Sequence, residues 1–140
     1  MPMVKKHKSL CYCINLRRAA NAVTEMYDRV FQPIGLTVNQ YSLLINISRL
    51  NICSVSDLAS YVGLERTTLV RSLKPLFKLG YIEDVSEKGQ RSRQLKVTEA
   101  GQKLLEQGKL LWITAQTEIE QKVGKEKLEL LSEILEQLVE

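Results

Sequence analysis

Polar side chains recur at helical spacing between residues 66 and 78 and form one side of a predicted helix: Thr67, Arg71, Lys74 and Lys78. Arginine and lysine bind phosphates or guanine edges, and threonine contacts phosphate oxygens or a thymine methyl group. We expect the opposite, apolar side to face the core, and its members are Leu69, Leu73, Leu76 and Gly80. The polar side therefore suits contact with a DNA major groove, and a solvated helix surface is the alternative.

The segments on either side of this helix favour the first interpretation. Ser54-Val-Ser-Asp57 is a helix-start signature, and Gly63 provides a turn between two helices in the order of a helix-turn-helix. A basic hairpin over residues 85–97 follows and predicts a wing. We predict DNA contacts from Arg66, Thr67, Thr68, Arg71, Lys74, Lys78, Lys88, Arg91 and Arg93.

Cysteines at positions 11, 13 and 53 are the other residues with reactive chemistry. Their odd number, the absence of zinc-site spacing and the single histidine favour free thiols, with no metal and no cofactor. A thiol enzyme that uses Cys13 and His7 is the alternative from another class. Because no oxyanion element, glycine-rich phosphate loop or carboxylate pair accompanies these two residues, we predict that the protein is not an enzyme.

Helix start and stop signals predict the remaining elements. The predicted helices span about 10–31, 37–50, 54–62, 66–78, 98–123 and 125–140. The fold class is mainly α with a small β-hairpin wing, a winged helix-turn-helix with terminal dimerisation helices. We expect one domain over residues 1–140, with a DNA-binding lobe at 36–98 and dimerisation helices at 8–32 and 99–140.

Length, composition and charge are consistent with this organisation. A chain of 140 residues with 44% hydrophobic composition fits one domain with a core. No apolar run approaches the roughly 18 residues of a membrane span, and the start lacks a signal-peptide apolar region, so we expect a cytoplasmic protein without membrane contact. Residues 64–96 hold eight Lys/Arg against four Asp/Glu, whereas residues 99–140 hold five against nine. The cationic surplus therefore coincides with the predicted DNA-binding elements.

Apolar stripes on the first and last helices predict a homodimer, because neither helix has a partner within a compact winged helix. The stripe on the last helix consists of Leu128, Leu131, Leu135 and Leu138. A two-fold dimer places two recognition helices roughly 34–36 Å apart, which suits double-stranded DNA with a pseudo-palindromic operator.

The chain resembles the MarR family of winged-helix transcription regulators over nearly its whole length. The segments that carry the resemblance are Pro33-Ile-Gly35-Leu-Thr37-Val-Asn-Gln40-Tyr-Ser-Leu-Leu, Ser56-Asp-Leu-Ala59, Leu64-Glu-Arg66-Thr-Thr68-Leu-Val-Arg71, Lys78-Leu-Gly80-Tyr-Ile and Val97-Thr-Glu-Ala-Gly101. The resemblance implies an obligate dimer, a recognition helix from Arg66 to Lys78, a wing in the minor groove, and usually repression. The family's wing commonly reads Asp-x-Arg, whereas this chain has Gly89-Gln-Arg91.

Two mechanisms of release are open. Leu10-Cys-Tyr-Cys13 resembles the start of the family's organic-hydroperoxide-sensing branch. Cys11 matches the local context and Cys13 matches the spacing. Tyr27 matches one of the branch's two thiolate-binding tyrosines, and Val38 stands at the other. The alternative is a small aromatic ligand in a cleft lined by Tyr12, Tyr27, Phe31, Tyr41 and Trp112. Aromatic residues at helical spacing more often belong to the core, which is the other interpretation of these five. If Cys11 and Cys13 have no sensing role, we expect them to be small residues buried at a dimer junction. We expect Cys53 to be structural.

A winged helix used for protein contacts, or an architectural DNA binder without sequence preference, is the remaining alternative. Such a protein discriminates weakly among duplexes. The threonine and arginine side chains of the predicted recognition helix instead favour strong discrimination. We therefore expect a sequence-specific regulator.

Overall fold

The computed structural model describes Val4 and residues 7–140, which form six α-helices and a small antiparallel sheet. The helices are α1 (Tyr12–Val30), α2 (Val38–Leu50), α3 (Val55–Val62), α4 (Arg66–Lys78), α5 (Glu99–Val123) and α6 (Lys125–Val139), with a 3-10 turn at Gln32–Ile34. The strands are β1 (Cys53–Ser54), β2 (Ile82–Asp84) and β3 (Gln94–Val97). This architecture confirms the predicted mainly α, winged helix-turn-helix fold.

Side-chain caps start α2 and α3 where the sequence predicts them. The Thr37 hydroxyl accepts from the Gln40 N–H at 3.2 Å, and the Gln40 side-chain oxygen accepts from the Thr37 N–H at 2.9 Å, which completes a capping box. The Ser54 hydroxyl accepts from the Asp57 N–H at 3.0 Å. Local sequence therefore sets where both helices begin.

The helix α4 is amphipathic, as predicted, but the chain leaves it earlier than the periodic pattern suggests. Leu69, Leu73 and Leu76 are buried in the core. The prediction that Gly80 faces the core is wrong, because α4 ends at Lys78 and Gly80 lies exposed beyond it with a φ of 78°. This left-handed conformation favours glycine and turns the chain towards β2.

The sheet has the strand order β1-β3-β2, with both pairs antiparallel. Cys53 of β1 pairs with Leu95, and Ile82 of β2 pairs with Val97. All four of these side chains are buried, so β3 is the central strand and joins the wing to the core. The sequence does not predict β1, since two residues are too few to show an alternating pattern.

The helix α5 approaches α2 closely at Tyr41, within the segment from α2 to β3 that we call the lobe. A Cβ atom at Gly108 would overlap the Tyr41 ring, so this contact requires glycine. The Tyr41 hydroxyl donates to the Leu105 carbonyl at 3.2 Å, and the Tyr41 and Phe31 ring centroids are 4.7 Å apart. Both rings are buried, and the Tyr41 contacts attach α5 to the lobe.

The terminal helices bury little surface within one chain. Met26 is the single buried residue of α1, and no residue of α6 is buried. Apolar side chains that remain exposed on these helices include Ile14, Leu16, Val23, Leu130, Leu131, Ile134, Leu135 and Leu138. None of the helices in the described residues has the length and apolar character of a membrane span.

Candidate nucleic-acid interface

The nine residues predicted to contact DNA are all exposed, and the structure places them on two adjoining elements. On α4 they are Arg66, Thr67, Thr68, Arg71, Lys74 and Lys78, and in the loop between β2 and β3 they are Lys88, Arg91 and Arg93. Because three leucines of α4 are buried, the opposite side of that helix must face solvent. No aspartate or glutamate lies within α4, so its exposed side is suited to bind phosphate.

A glycine turn sets the start of α4. Gly63 ends α3 in the left-handed conformation with a φ of 71°, and the Leu64 N–H donates to the Ala59 carbonyl at 3.0 Å. Glu65 precedes α4, but its side chain makes no capping hydrogen bond. The first-turn N–H groups of α4 therefore lack a side-chain partner and lie next to Arg66, an arrangement that attracts anions.

The cations of this surface form no salt bridge within the described part of the chain. One salt bridge occurs among the described residues, between Lys103 and Glu99 of α5, with a nitrogen to oxygen distance of 3.9 Å. The lysines and arginines of α4 and the wing take no part in it. Their charge is therefore available to a polyanion.

The base of the wing is closed by Asp84 at the end of β2. Its Oδ1 atom accepts from the Ser86 N–H at 2.9 Å and from the Gln94 N–H at 3.1 Å. The hydrogen bonds from Ser86 are the main cause that lowers the pKa of Asp84, and the Gln94 N–H and the Arg93 charge lower it further against a desolvation effect. We call this arrangement the Asp84 clasp.

A second turn closes the tip of the wing. The Glu87 N–H donates to the Gln90 side-chain oxygen at 2.7 Å, and the Gln90 N–H donates to the Glu87 carbonyl at 3.0 Å. Gly89 lies within this turn with a φ of 96°. At the position of the aspartate of Asp-x-Arg, the chain thus has a left-handed glycine, and Gln90 orders the turn that precedes Arg91.

A contact between the wing and α4 was not predicted from the sequence. The guanidinium carbon of Arg93 lies 5.3 Å from the ring centroid of Phe77, which is within the range of a cation–π interaction. Asp84 and Gln90 were also missed as residues that shape the wing. A polar residue at a strand end is a weak turn signal, and nothing in the spacing of Phe77 and Arg93 indicates that they meet.

The thiols differ in their surroundings. Cys11 precedes α1 and Cys13 lies in its first turn, and both are exposed in the single chain. Cys53 is buried, and desolvation, followed by the charge of Asp57, raises the pKa of its thiol. A thiol with a raised pKa is a poor nucleophile at neutral pH, so Cys53 fits the predicted structural role.

Tyr27 does not meet either N-terminal cysteine within one chain. Cys13 and Tyr27 both lie on α1, and their separation along the helix axis is about 21 Å at 1.5 Å per residue. The Tyr27 hydroxyl donates to the Gln116 side-chain oxygen of α5, and desolvation, followed by the charge of Glu120, raises its pKa. A contact between Tyr27 and one of these thiols therefore requires a second copy of the chain.

An open cleft of about 720 Å³ lies between α2 and α5. Tyr41 and Trp112 line it, as predicted, together with the cationic side chains of Arg49 and Lys109. The other three aromatic residues considered for this cleft do not line it. Phe31 is buried in the core, Tyr12 is 86% exposed, and Tyr27 lines a separate depression beside α6.

A helix-turn-helix followed by a basic wing defines a winged-helix DNA-binding protein, and comparison with known proteins agrees. Residues 36–101 match the model of a winged helix DNA-binding domain. The HTH-type transcriptional regulator BilQ of Clostridioides difficile is 29% identical over 102 residues, which cover 71% of this chain and 67% of BilQ.

Solved structures extend the likeness to nearly the whole chain. The M. tuberculosis transcriptional regulator MosR in complex with DNA is 32% identical, with a TM-score of 0.78, over 92% of this chain and 96% of MosR. A mutant MarR from E. coli complexed with operator DNA is 21% identical and shares the fold, with a TM-score of 0.77 over 95% of this chain and 100% of that protein. The chain belongs to the MarR family and is a DNA-binding transcription regulator of that type.

The Asp84 clasp leads to a prediction about pH. The folded-state pKa of Asp84 lies below the ordinary 3.8, so the clasp is fully formed above that pH and is lost as the pH falls through the lower folded-state value. Asp84→Asn, which keeps only a neutral acceptor, should loosen the wing at neutral pH and remove its acid transition. Amide hydrogen exchange at Ser86 and Gln94, corrected for intrinsic rates, measures both effects.

The matched control is Asp28→Asn. Asp28 also accepts a backbone hydrogen bond, from the Val38 N–H at 2.7 Å, but it lies on α1. This variant should leave the exchange of the wing amides unchanged. Equal protection of Ser86 and Gln94 in wild type and Asp84→Asn would contradict a role of the clasp in holding the wing.

Proposed function

We propose that the protein is a sequence-specific repressor that binds a pseudo-palindromic operator as a homodimer. The observation that carries this proposal is that cationic and hydroxyl side chains are exposed on both α4 and the wing, while the apolar side of α4 is buried. The DNA complexes of MosR and of the MarR mutant support the choice of partner.

In this proposal α4 enters the major groove and the wing follows the adjacent minor groove. Arg71 lies in the middle of α4, among threonine and lysine side chains that can contact bases or phosphates. Arg91 follows the turn at the wing tip, where a narrow minor groove attracts arginine electrostatically. The remaining cations of the surface position the protein on the phosphate backbone.

Two arginine substitutions test the assignment of grooves. Arg71→Ala should cost about 1–3 kcal/mol of binding and relax the preference at particular base pairs, because a base-reading side chain is lost. Arg91→Ala should weaken binding to all operator variants more evenly. Titration of labelled operator variants at several salt concentrations measures these effects, and each lost phosphate contact lowers the log–log salt slope by about 0.9.

Lys122→Ala is the matched control, because Lys122 is exposed at the far end of α5. It should leave the operator affinity unchanged. If Arg71→Ala and Arg91→Ala also bind the operator as wild type does, the proposed DNA surface is wrong. Weak binding to all duplexes by the wild type would favour the architectural or protein-binding alternative.

The dimer is proposed because the terminal helices lack a covering surface. The α6 stripe remains largely exposed along its length, with Leu131, Leu135 and Leu138 at 41%, 44% and 59%. Apolar side chains of α1, among them Ile14, Leu16 and Val23, are also exposed in the single chain. A second copy of the chain that covers both helices removes this apolar surface from water and sets the spacing of the two α4 helices.

A charge placed on the stripe tests the dimer. The double variant Leu131→Asp with Leu135→Asp should shift the protein towards monomers or aggregates and reduce operator affinity, because burying a carboxylate in an apolar interface is costly. Sedimentation over a range of concentrations measures the association. Gln137→Asp, a single charge off the stripe, is the control, and a double variant that stays a tight dimer would contradict the proposal.

We also propose that repression is relieved at one of two sites. The α2–α5 cleft offers aromatic side chains beside two cations, Arg49 and Lys109, and one carboxylate, Glu106, and this net positive lining suits a small aromatic anion. The exposed thiols at the start of α1 offer oxidation, in which the hydroperoxide converts a thiolate to a sulfenic acid and is itself reduced to the alcohol. The relatives are transcription regulators, and we propose a sensing rather than a catalytic role for Cys13.

Cumene hydroperoxide separates the two routes of release. If oxidation is the signal, the wild type should release operator DNA and recover with a reductant, and Cys13→Ser or Cys11→Ser should block release. Polarisation of labelled operator, with a benzoate-type acid in a parallel titration, measures both routes. Wild type that holds DNA equally well when oxidised and reduced contradicts the redox route and leaves the cleft as the site of release.

A further inference from the structure

The contact between Arg93 and Phe77 links the two elements of the proposed DNA surface. Phe77 lies on α4, one residue before the helix ends, and is partly buried against the core. Arg93 is exposed, immediately before β3. The guanidinium carbon lies 5.3 Å from the ring centroid. An arginine held by a ring keeps its N–H groups available for further partners.

The Asp84 clasp holds the backbone next to this arginine. Asp84 Oδ1 accepts from the N–H of Gln94, the residue that follows Arg93, at 3.1 Å. Backbone on one side and an aromatic ring on the other therefore restrict where the Arg93 guanidinium lies. Side-chain freedom is a main cost of ordering an exposed arginine on DNA, so this restriction lowers the cost of binding.

We propose that Phe77 is a positioning residue that fixes Arg93, so that the wing and α4 meet DNA as one unit. The inference rests on the DNA surface proposed above. Phe77 itself does not contact DNA in this proposal, and it acts through the arginine. Among the contacts of the described residues, the turn before Arg91 has none with α4. Arg93, in contrast, contacts Phe77 of α4.

Phe77 also belongs to the apolar packing of the lobe, so its substitution must separate the two roles. Phe77→Leu keeps apolar volume but removes the aromatic face. Phe77→Tyr keeps the ring. Arg93→Met keeps the apolar stem but removes the charge, at an exposed position where folding is not at stake. Urea unfolding of each variant records any loss of stability.

The experiment is a double-substitution cycle on operator affinity. Phe77→Leu should weaken binding about two- to five-fold, the size of an exposed cation–π contact. Phe77→Tyr should bind as wild type does. In the Arg93→Met background, Phe77→Leu should have no further effect, and the Gln94 amide should exchange faster in both single variants.

Independent, multiplicative effects of Phe77→Leu and Arg93→Met would overturn the inference, as would failure of Phe77→Tyr to retain affinity in a folded protein. If Phe77→Leu does not fold, Arg93→Met still tests the contact, since unchanged affinity and unchanged Gln94 exchange overturn it. Arg71→Ala separates this result from the proposed function. Loss of affinity in Arg71→Ala with none in Phe77→Leu contradicts only the role of Phe77.

Discussion

Leu69, Leu73 and Leu76 are buried along one side of α4, and this burial fixes the rotation of the helix about its own axis. Each residue turns the helix by about 100°, so the side that carries Arg71 and Lys74 can only face solvent. A rotation of one residue would bury charge and expose leucine, at a cost of several kcal/mol. The cationic surface is therefore a direct result of core packing.

Local signals account for most of what the sequence predicts correctly. The capping box at Thr37 and Gln40, the Ser54 cap and the left-handed Gly63 act within a few residues, so the helix bounds follow from the sequence within about two residues. The predicted DNA-contact residues are also exposed. On α4 this follows from the sequence, because the helical period of the apolar residues indicates which side of the helix is buried. The strand β1 was missed, because Cys53 pairs with Leu95, which is distant in the sequence.

The errors concern contacts between distant segments. The residue type of Phe31 fitted both the cleft and the core, and only the structure shows that it packs against Tyr41 in the core. Phe77 and Arg93 belong to different elements, and periodicity carries no information about their meeting. In the wing, the sequence differs from the family's Asp-x-Arg at Gly89, near the tip. The backbone is instead held at the base of the wing, by hydrogen bonds to the Asp84 carboxylate. Such contacts depend on which segments lie close together in the folded chain, and a single sequence does not show this.

The absence of a side chain at Gly108 has a mechanical consequence. The Tyr41 ring rests directly on the α5 backbone, and its hydroxyl is tied to the Leu105 carbonyl at 3.2 Å. Two helices in such contact cannot slide past each other in small steps, because a packed seam of this kind tolerates little deformation. Tyr41 also lines the α2–α5 cleft. The contact therefore couples the positions of α2 and α5, because a tilt of α5 that kept this packing would require α2 to move with it.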